Sequence, residues 1–289
     1  MIDGPLFLVG TGRCGSTIVY SCLAMHRSFG WINSWMTVMP GWRFLAAGNW
    51  LWQLPRVDSL WDVRFLPKPV EPNQFLGRLD PGYFSEGVTP DRERHARQTL
   101  VPAIERMLAW QRRRRFLGKL VGRPVKIDLL HQLYPDARFV HVTRGLRPSA
   151  ASLLQVEFYQ EGWLERWPWG EIPRALPEFY EGEGRPPELA AALALELNIR
   201  EVERQLQALP PTHWIAIGYA DFVADPVAGM EQIGRLAGFD VPKPLQERVR
   251  RRAVYGGADE KWRKYFSPVQ QRRLDAFEQL AAESPPAGR

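Results

Sequence analysis

Apolar positions along this chain fall into a few short unbroken runs, separated by longer stretches with helical spacing. Leu6-Phe7-Leu8-Val9 is wholly apolar and closed by glycine, which predicts a buried parallel strand. Ser16 to Met25 follows as a helix that begins inside a glycine-rich turn. From Trp31 to about Glu86 the chain is rich in tryptophan, proline and glycine and lacks clear periodicity. Loops and short helices packed over a site are expected there. An amphipathic helix is predicted from Pro90 to Arg115, with Thr89 as its cap and Pro90 in its first turn. Phe116 to Lys119 reads as a brief strand and Pro124 to Tyr134 as a helix. The alternating, β-branched Arg138 to Thr143 reads as a strand. Further helices are expected over Pro148–Glu161 and Glu188–Leu209, with a strand over Trp214–Ile217 and helix through most of the remainder. Strands alternating with helices imply an α/β class: a central parallel sheet with helices on both faces. No repeat or long linker divides the chain, so residues 1–289 are expected to form one domain.

Composition adds little to this until charge is considered. The 289 residues are 45% hydrophobic and 24% charged, an ordinary globular balance. A formal net charge of +6 favours an anionic partner: nucleic acid, an acidic membrane face or a highly charged small ligand. Much of the surplus sits in Arg112 to Arg115 and in Arg248 to Arg252, which read as solvated helix faces. Cys14 and Cys22 lie eight positions apart, about 12 Å on a helix, which is beyond disulfide reach. Unpaired cysteines point to a reducing compartment and hence the cytoplasm. The five histidines are scattered and no CxxC or HExxH occurs, so no metal site is expected. An acid precedes the first short apolar run, unlike a signal peptide, and no run approaches the roughly 20 apolar residues of a membrane span. A soluble protein without stable membrane insertion is expected.

The segment carrying most chemistry is Gly10-Thr11-Gly12-Arg13-Cys14-Gly15-Ser16-Thr17, between the first strand and its helix. Glycines let the backbone turn its amides inward, and the helix N-terminus adds partial positive charge, an arrangement that binds phosphate. The spacing is that of GxxxxGK[ST] with Ser16 in place of the lysine. A nucleoside-triphosphate enzyme needs that lysine on the β- and γ-phosphates. A nucleotide carrying only a 5′-phosphate and a sulfate does not, and Arg13 can supply one cation. A glycine-rich turn without a ligand, a P-loop kinase and a polyanion-binding protein using the arginine runs are the competing readings.

Further along, Phe139-Val140-His141-Val142-Thr143-Arg144 ends a strand in arginine, and Ser152 follows eight residues later on a predicted helix. The two can converge on one phosphate, the arginine as a bidentate fork.

Phe7 to Thr17 resembles the 5′-phosphosulfate loop of sulfotransferases that use 3′-phosphoadenosine 5′-phosphosulfate (PAPS), whose bacterial and Golgi members carry Arg-x-Gly-[ST]-[ST] after a strand. The resemblance implies a P-loop-like three-layer α/β/α fold. It also implies that Gly12, Arg13, Cys14, Gly15, Ser16 and Thr17 hold the 5′-phosphate. Arg144 and Ser152 match the family's 3′-phosphate ligands and Arg147 its second arginine, although Gly145-Leu146 replaces the usual Asp-Pro. Tyr219-Ala220-Asp221-Phe222 is similar to the family's Tyr-Glu-Asp-Leu segment. Gly256-Gly257 with Trp262, Arg263, Lys264 and Tyr265 resembles the loop that closes over the 3′-phosphate and adenine.

What the resemblance implies is sulfuryl transfer from PAPS to an acceptor hydroxyl or amine by in-line displacement, leaving 3′,5′-adenosine bisphosphate (PAP), without a metal. The acceptor would be a small molecule, saccharide, lipid or peptide rather than nucleic acid. Cations must neutralise the leaving phosphate, for which Arg13 and Lys119 are the candidates, and a base must take the acceptor's proton. The family's base positions hold Ser34 and Val121 here, neither of them titratable. Glu86, an acid in an aromatic loop flanked by glycine, is the expected substitute.

Overall fold

In a computed structural model the chain is described over residues 2–39, 42–54, 65–80, 89–122, 126–156, 172–253 and 261–284. Five strands, β1 (Leu6–Gly10), β2 (Phe29–Gly30), β3 (Arg115–Val121), β4 (Arg138–Thr143) and β5 (Trp214–Gly218), form one sheet in the order β2-β3-β1-β4-β5. Every pairing is parallel. The helices are α1 (Ser16–Ala24), α2 (Ser34–Val38), α3 (Asn73–Leu79), α4 (Pro90–Gln111), α5 (Ile127–Leu133) and α6 (Leu146–Leu153). They continue as α7 (Ala175–Gly182), α8 (Pro187–Gln207), α9 (Tyr219–Ala224), α10 (Pro226–Ala237), α11 (Lys243–Ala253) and α12 (Pro268–Glu283).

Alternation along β1 explains the layering, because successive side chains of a strand point to opposite faces. Phe7 and Val9 pack beneath α4, α5 and α8, where Phe7 stacks on Phe139 at 5.7 Å and meets Phe116 edge-on at 5.9 Å. Leu6 and Leu8 face the opposite way, into a cluster built with α1, α10 and α11. A third cluster joins α6, α7, α8 and α12 beside the sheet. The result is the three-layer α/β/α architecture expected. With β1 central, its connection leads to one side of the sheet while β4 and β5 lie on the other. The crevice of an open α/β sheet therefore opens above the C-terminal end of β1.

Several boundaries differ from those expected. The helix beginning near Pro148 ends at Leu153, and α5 begins at Ile127 rather than Pro124. β2 is two residues long and carries no pattern that periodicity detects. The arginine runs also differ, because they are not simply solvated faces. Arg252 is 6% exposed and donates to Ser21 Oγ, while Arg248 donates to the carbonyls of Trp52 and Gln53. Arg113 donates to Gln53, and burial lowers the pKa of its guanidinium, helped by nearby Arg27. These side chains tie α11 and the approach to β3 onto the segment around Trp52.

His141 in β4 is buried, and desolvation pushes its pKa down from 6.5 to about 4. Because the unfolded chain takes up this proton at higher pH than the native one, stability is lost as pH falls from 6.5 through about 4. The full span is worth on the order of 3 kcal/mol. Urea unfolding of the wild type should show that acid loss, and His141→Leu should remove most of it.

Candidate functional site

The loop after β1 takes three positive φ angles, at Gly10 (150°), Arg13 (67°) and Gly15 (87°). Arg13 is the informative one, since a non-glycine residue held in the left-handed region costs free energy and concentrates at ligand sites. At Gly15 a Cβ would stand 2.1 Å from the Tyr219 ring, so only glycine fits where the loop meets the start of α9. Gly15 also caps α1 without any side-chain partner, and no acidic residue occupies the first turn. The first turn of α1 thus has no capping side chain, and its partial positive charge faces the loop, where the Ser16 amide and hydroxyl meet the Cys14 sulfur.

Cations reach this loop from the neighbouring strands. Lys119 in β3 is 6% exposed; its Nζ donates to Thr17 Oγ1 at 2.9 Å and lies 3.0 Å from Glu71 Oε1. Arg144, just past β4, donates to the Arg13 carbonyl at 3.2 Å and stands 4.7 Å above the Tyr219 ring. Arg13 Nε in turn donates to Ser152 Oγ at 2.9 Å. The residues expected at the 5′- and 3′-phosphates are therefore direct neighbours.

All of them except Cys14 line one cavity of about 470 Å³. Its wall includes Gly12, Arg13, Gly15, Ser16, Thr17, Lys119, Arg144 and Ser152, together with Val121. The other expected residues lie elsewhere. The Cys14 side chain turns into the core below the loop, and burial raises its thiol pKa. Trp262, Arg263, Lys264 and Tyr265 are not among the described residues lining the cavity. Trp262 packs in the cluster of α6 and α12, flanked by the guanidinium groups of Arg147 and Arg263. Arg147 is taken up by Glu278 and Asp275 of α12. Glu86 and Gly256-Gly257 lie outside the described residues. No cluster of potential metal ligands occurs among the described residues.

Two cavity residues escaped the sequence reading. Asn198 in α8 is 2% exposed, and neither atom of its amide has a hydrogen-bond partner among the described residues. It sits one turn before Val202, which packs in the core, so a polar residue at a core-facing helical position was the available signal. Glu71 gave no such signal, lying between Val70 and Pro72 in a stretch without periodicity.

A glycine loop between a parallel strand and a helix, with basic side chains converging from the next strand ends, defines a P-loop-like α/β protein built to hold a multiply charged anion. Its lack of the loop lysine sets it apart from the triphosphate-binding branch. The chain belongs to the sulfotransferase family, whose model matches residues 5–243. Among solved structures it is similar to sulfotransferase STF9 from Mycobacterium avium, with a TM-score of 0.57 and 16% identity over 100% of this chain and 79% of that one. It is also similar to STF1 from Mycobacterium tuberculosis H37Rv, with a TM-score of 0.53 and 17% identity over 92% and 77% of the two chains. For a sulfotransferase from Alicyclobacillus acidocaldarius the TM-score is 0.51, at 16% identity over 97% and 93%. At these identities the likenesses speak for the fold. No curated protein matches the sequence. Family membership makes the chain a transferase of sulfuryl groups. No helix among the described residues is long and apolar enough to cross a membrane.

Proposed function

We propose that the cavity above β1 is the PAPS site and that its residues divide the nucleotide between them. The observation that supports this best is the convergence on a single cavity of three basic side chains, three hydroxyls and one amide without a partner among the described residues. The residue set fits the group: Arg13, Lys119 and Arg144 offset its negative charges, and Ser16, Thr17 and Ser152 offer hydroxyl donors. Asn198 offers a donor and an acceptor that nothing in the described protein satisfies. When bound, PAPS supplies an activated sulfuryl group and a phosphate leaving group.

In this reading the α1 amides with Ser16 and Thr17 hold the 5′-phosphate, and Arg144 with Ser152 holds the 3′-phosphate. Lys119, buried and tethered to Thr17, keeps a positive charge where the leaving oxygen gains its negative one. A cation fixed in advance of the reaction needs no reorganisation during it. The acceptor is a hydroxyl- or amine-bearing small molecule, saccharide, lipid or peptide that enters beside Val121.

Calorimetry with PAP and with ATP, both without metal, tests the assignment. Micromolar binding of PAP is expected; failure to bind it would overturn the reading, and tighter binding of ATP would restore the kinase alternative. Asn198 gives a sharper check because two effects should move in opposite directions. Asn198→Leu removes a buried amide without partners among the described residues, so the unliganded protein should gain on the order of 1 kcal/mol. PAP affinity should fall about tenfold, read by thermal unfolding with and without PAP.

A further inference from the structure

In-line transfer to a hydroxyl needs a group that takes the acceptor's proton. Among the described residues lining the cavity there is a single carboxylate, Glu71. Its delivery is built into the fold. Asn33 is fully buried, donates to the Asn49 side chain and the Leu45 carbonyl, and caps α2 by accepting from the Met36 amide. Against this fixed point the segment 66–70 pairs antiparallel to 32–34. Asn33 bridges Pro69, Ser34 N donates to the Lys68 carbonyl at 2.9 Å, and Val70 N donates to the Ile32 carbonyl at 3.2 Å. Ser34 Oγ donates to the Leu66 carbonyl, and Tyr20 OH donates to that of Val70. Glu71 is the next residue, and it enters the cavity to meet Lys119, itself bonded to Thr17 at the end of the loop. The carboxylate is thus one ammonium group away from the loop.

Resting on the PAPS reading of the cavity, we propose that Glu71 is the general base of this enzyme, supplied by a segment that lies alongside the 32–34 stretch rather than by that stretch itself. Glu71 Oε takes the proton of the acceptor hydroxyl while the acceptor oxygen bonds to sulfur. The bond between sulfur and the bridging oxygen breaks, and its electron pair goes to the phosphate of departing PAP. The half-exposed Glu71 then returns the proton to solvent. Before the nucleotide binds, Glu71 is held in place by Lys119. With phosphate present, Lys119 has a second anion to serve, and the carboxylate turns to the acceptor. This pairing also explains how Val121 and Ser34, neither able to accept a proton, are tolerated at their positions.

The experiment uses water as the acceptor, since it requires no knowledge of the natural one. Release of labelled sulfate from PAPS is followed across pH for the wild type, Glu71→Gln and Glu71→Asp, with PAP affinity measured for each. Glu71→Gln should lower hydrolysis roughly 100-fold or more, the range typical of losing a general base. It should abolish the fall in rate at acid pH that the wild type shows, and Glu71→Asp should recover part of the rate. PAP affinity of Glu71→Gln should be unchanged or higher, because an acid has been removed from an anion site. Hydrolysis by Glu71→Gln at the wild-type rate overturns the proposal. So does loss of PAP binding by Glu71→Gln, which would make Glu71 a support for Lys119. A wild type that binds PAP yet leaves PAPS intact also overturns it. A wild type that does not bind PAP defeats the nucleotide assignment instead, so the two failures are told apart.

Discussion

Replacing Arg144 with alanine is expected to weaken PAP binding about 100-fold, equivalent to roughly 3 kcal/mol for a charge-assisted, forked contact to phosphate. No other single side chain of the cavity should cost as much affinity. Arg144 donates to the Arg13 carbonyl and covers the Tyr219 ring, so its loss loosens the phosphate loop as well as removing a charge. Arg144→Lys separates the two effects: it keeps the charge but lacks the planar fork, and an intermediate affinity is expected. Calorimetry on both variants, with thermal unfolding to confirm that each is folded, decides the matter. Wild-type affinity in Arg144→Ala would move the 3′-phosphate elsewhere.

The second large effect is on turnover. Lys119→Met is expected to reduce sulfuryl transfer by about 100- to 1000-fold, the usual cost of removing one preorganised group facing charge that develops in the transition state. The nearly isosteric methionine keeps the packing of β3, where Lys119 is buried and pairs in register with Leu8 of β1. PAP binding should fall much less, because Arg13, Arg144 and the α1 amides remain. The signature is therefore a loss in kcat with near-normal donor affinity, measured by steady-state transfer from PAPS and by PAP calorimetry. Equal losses in both would make Lys119 a ground-state binding group rather than one that acts on the leaving oxygen.

What could be read in the sequence follows from how each residue's role is encoded. β1 and β4 were legible because buried parallel strands are short, apolar and bounded by glycine or by arginine, and the loop between β1 and α1 keeps a fixed spacing. Lys119 was legible only through the family resemblance, which places a lysine near the end of this strand; β3 itself runs on to Val121. Asn198 was overlooked although its position on the core face of α8 was visible from the apolar residues around it. Glu71 could not be found at all. It reaches the cavity through pairing between 32–34 and 66–70, segments more than thirty positions apart with neither alternation nor helical spacing. Two of the mis-assigned arginines, Arg248 and Arg252, make the converse point. A run of like charges suggests a wet face until tertiary carbonyls and a buried serine turn out to be its partners.

The contact of Tyr219 with both Gly15 and Arg144 has one further consequence. Because the ring leaves no room for a Cβ at Gly15 and carries the guanidinium of Arg144, the phosphate loop and the end of β4 are held at a fixed spacing. If the cavity holds the nucleotide as proposed, the ring sets the distance between its two phosphate positions, like the graduation of a ruler. Under the proposed PAPS assignment, the two marks are the 5′-phosphate at the loop and the 3′-phosphate at Arg144. Selectivity for the donor can in this way be set by length as much as by charge.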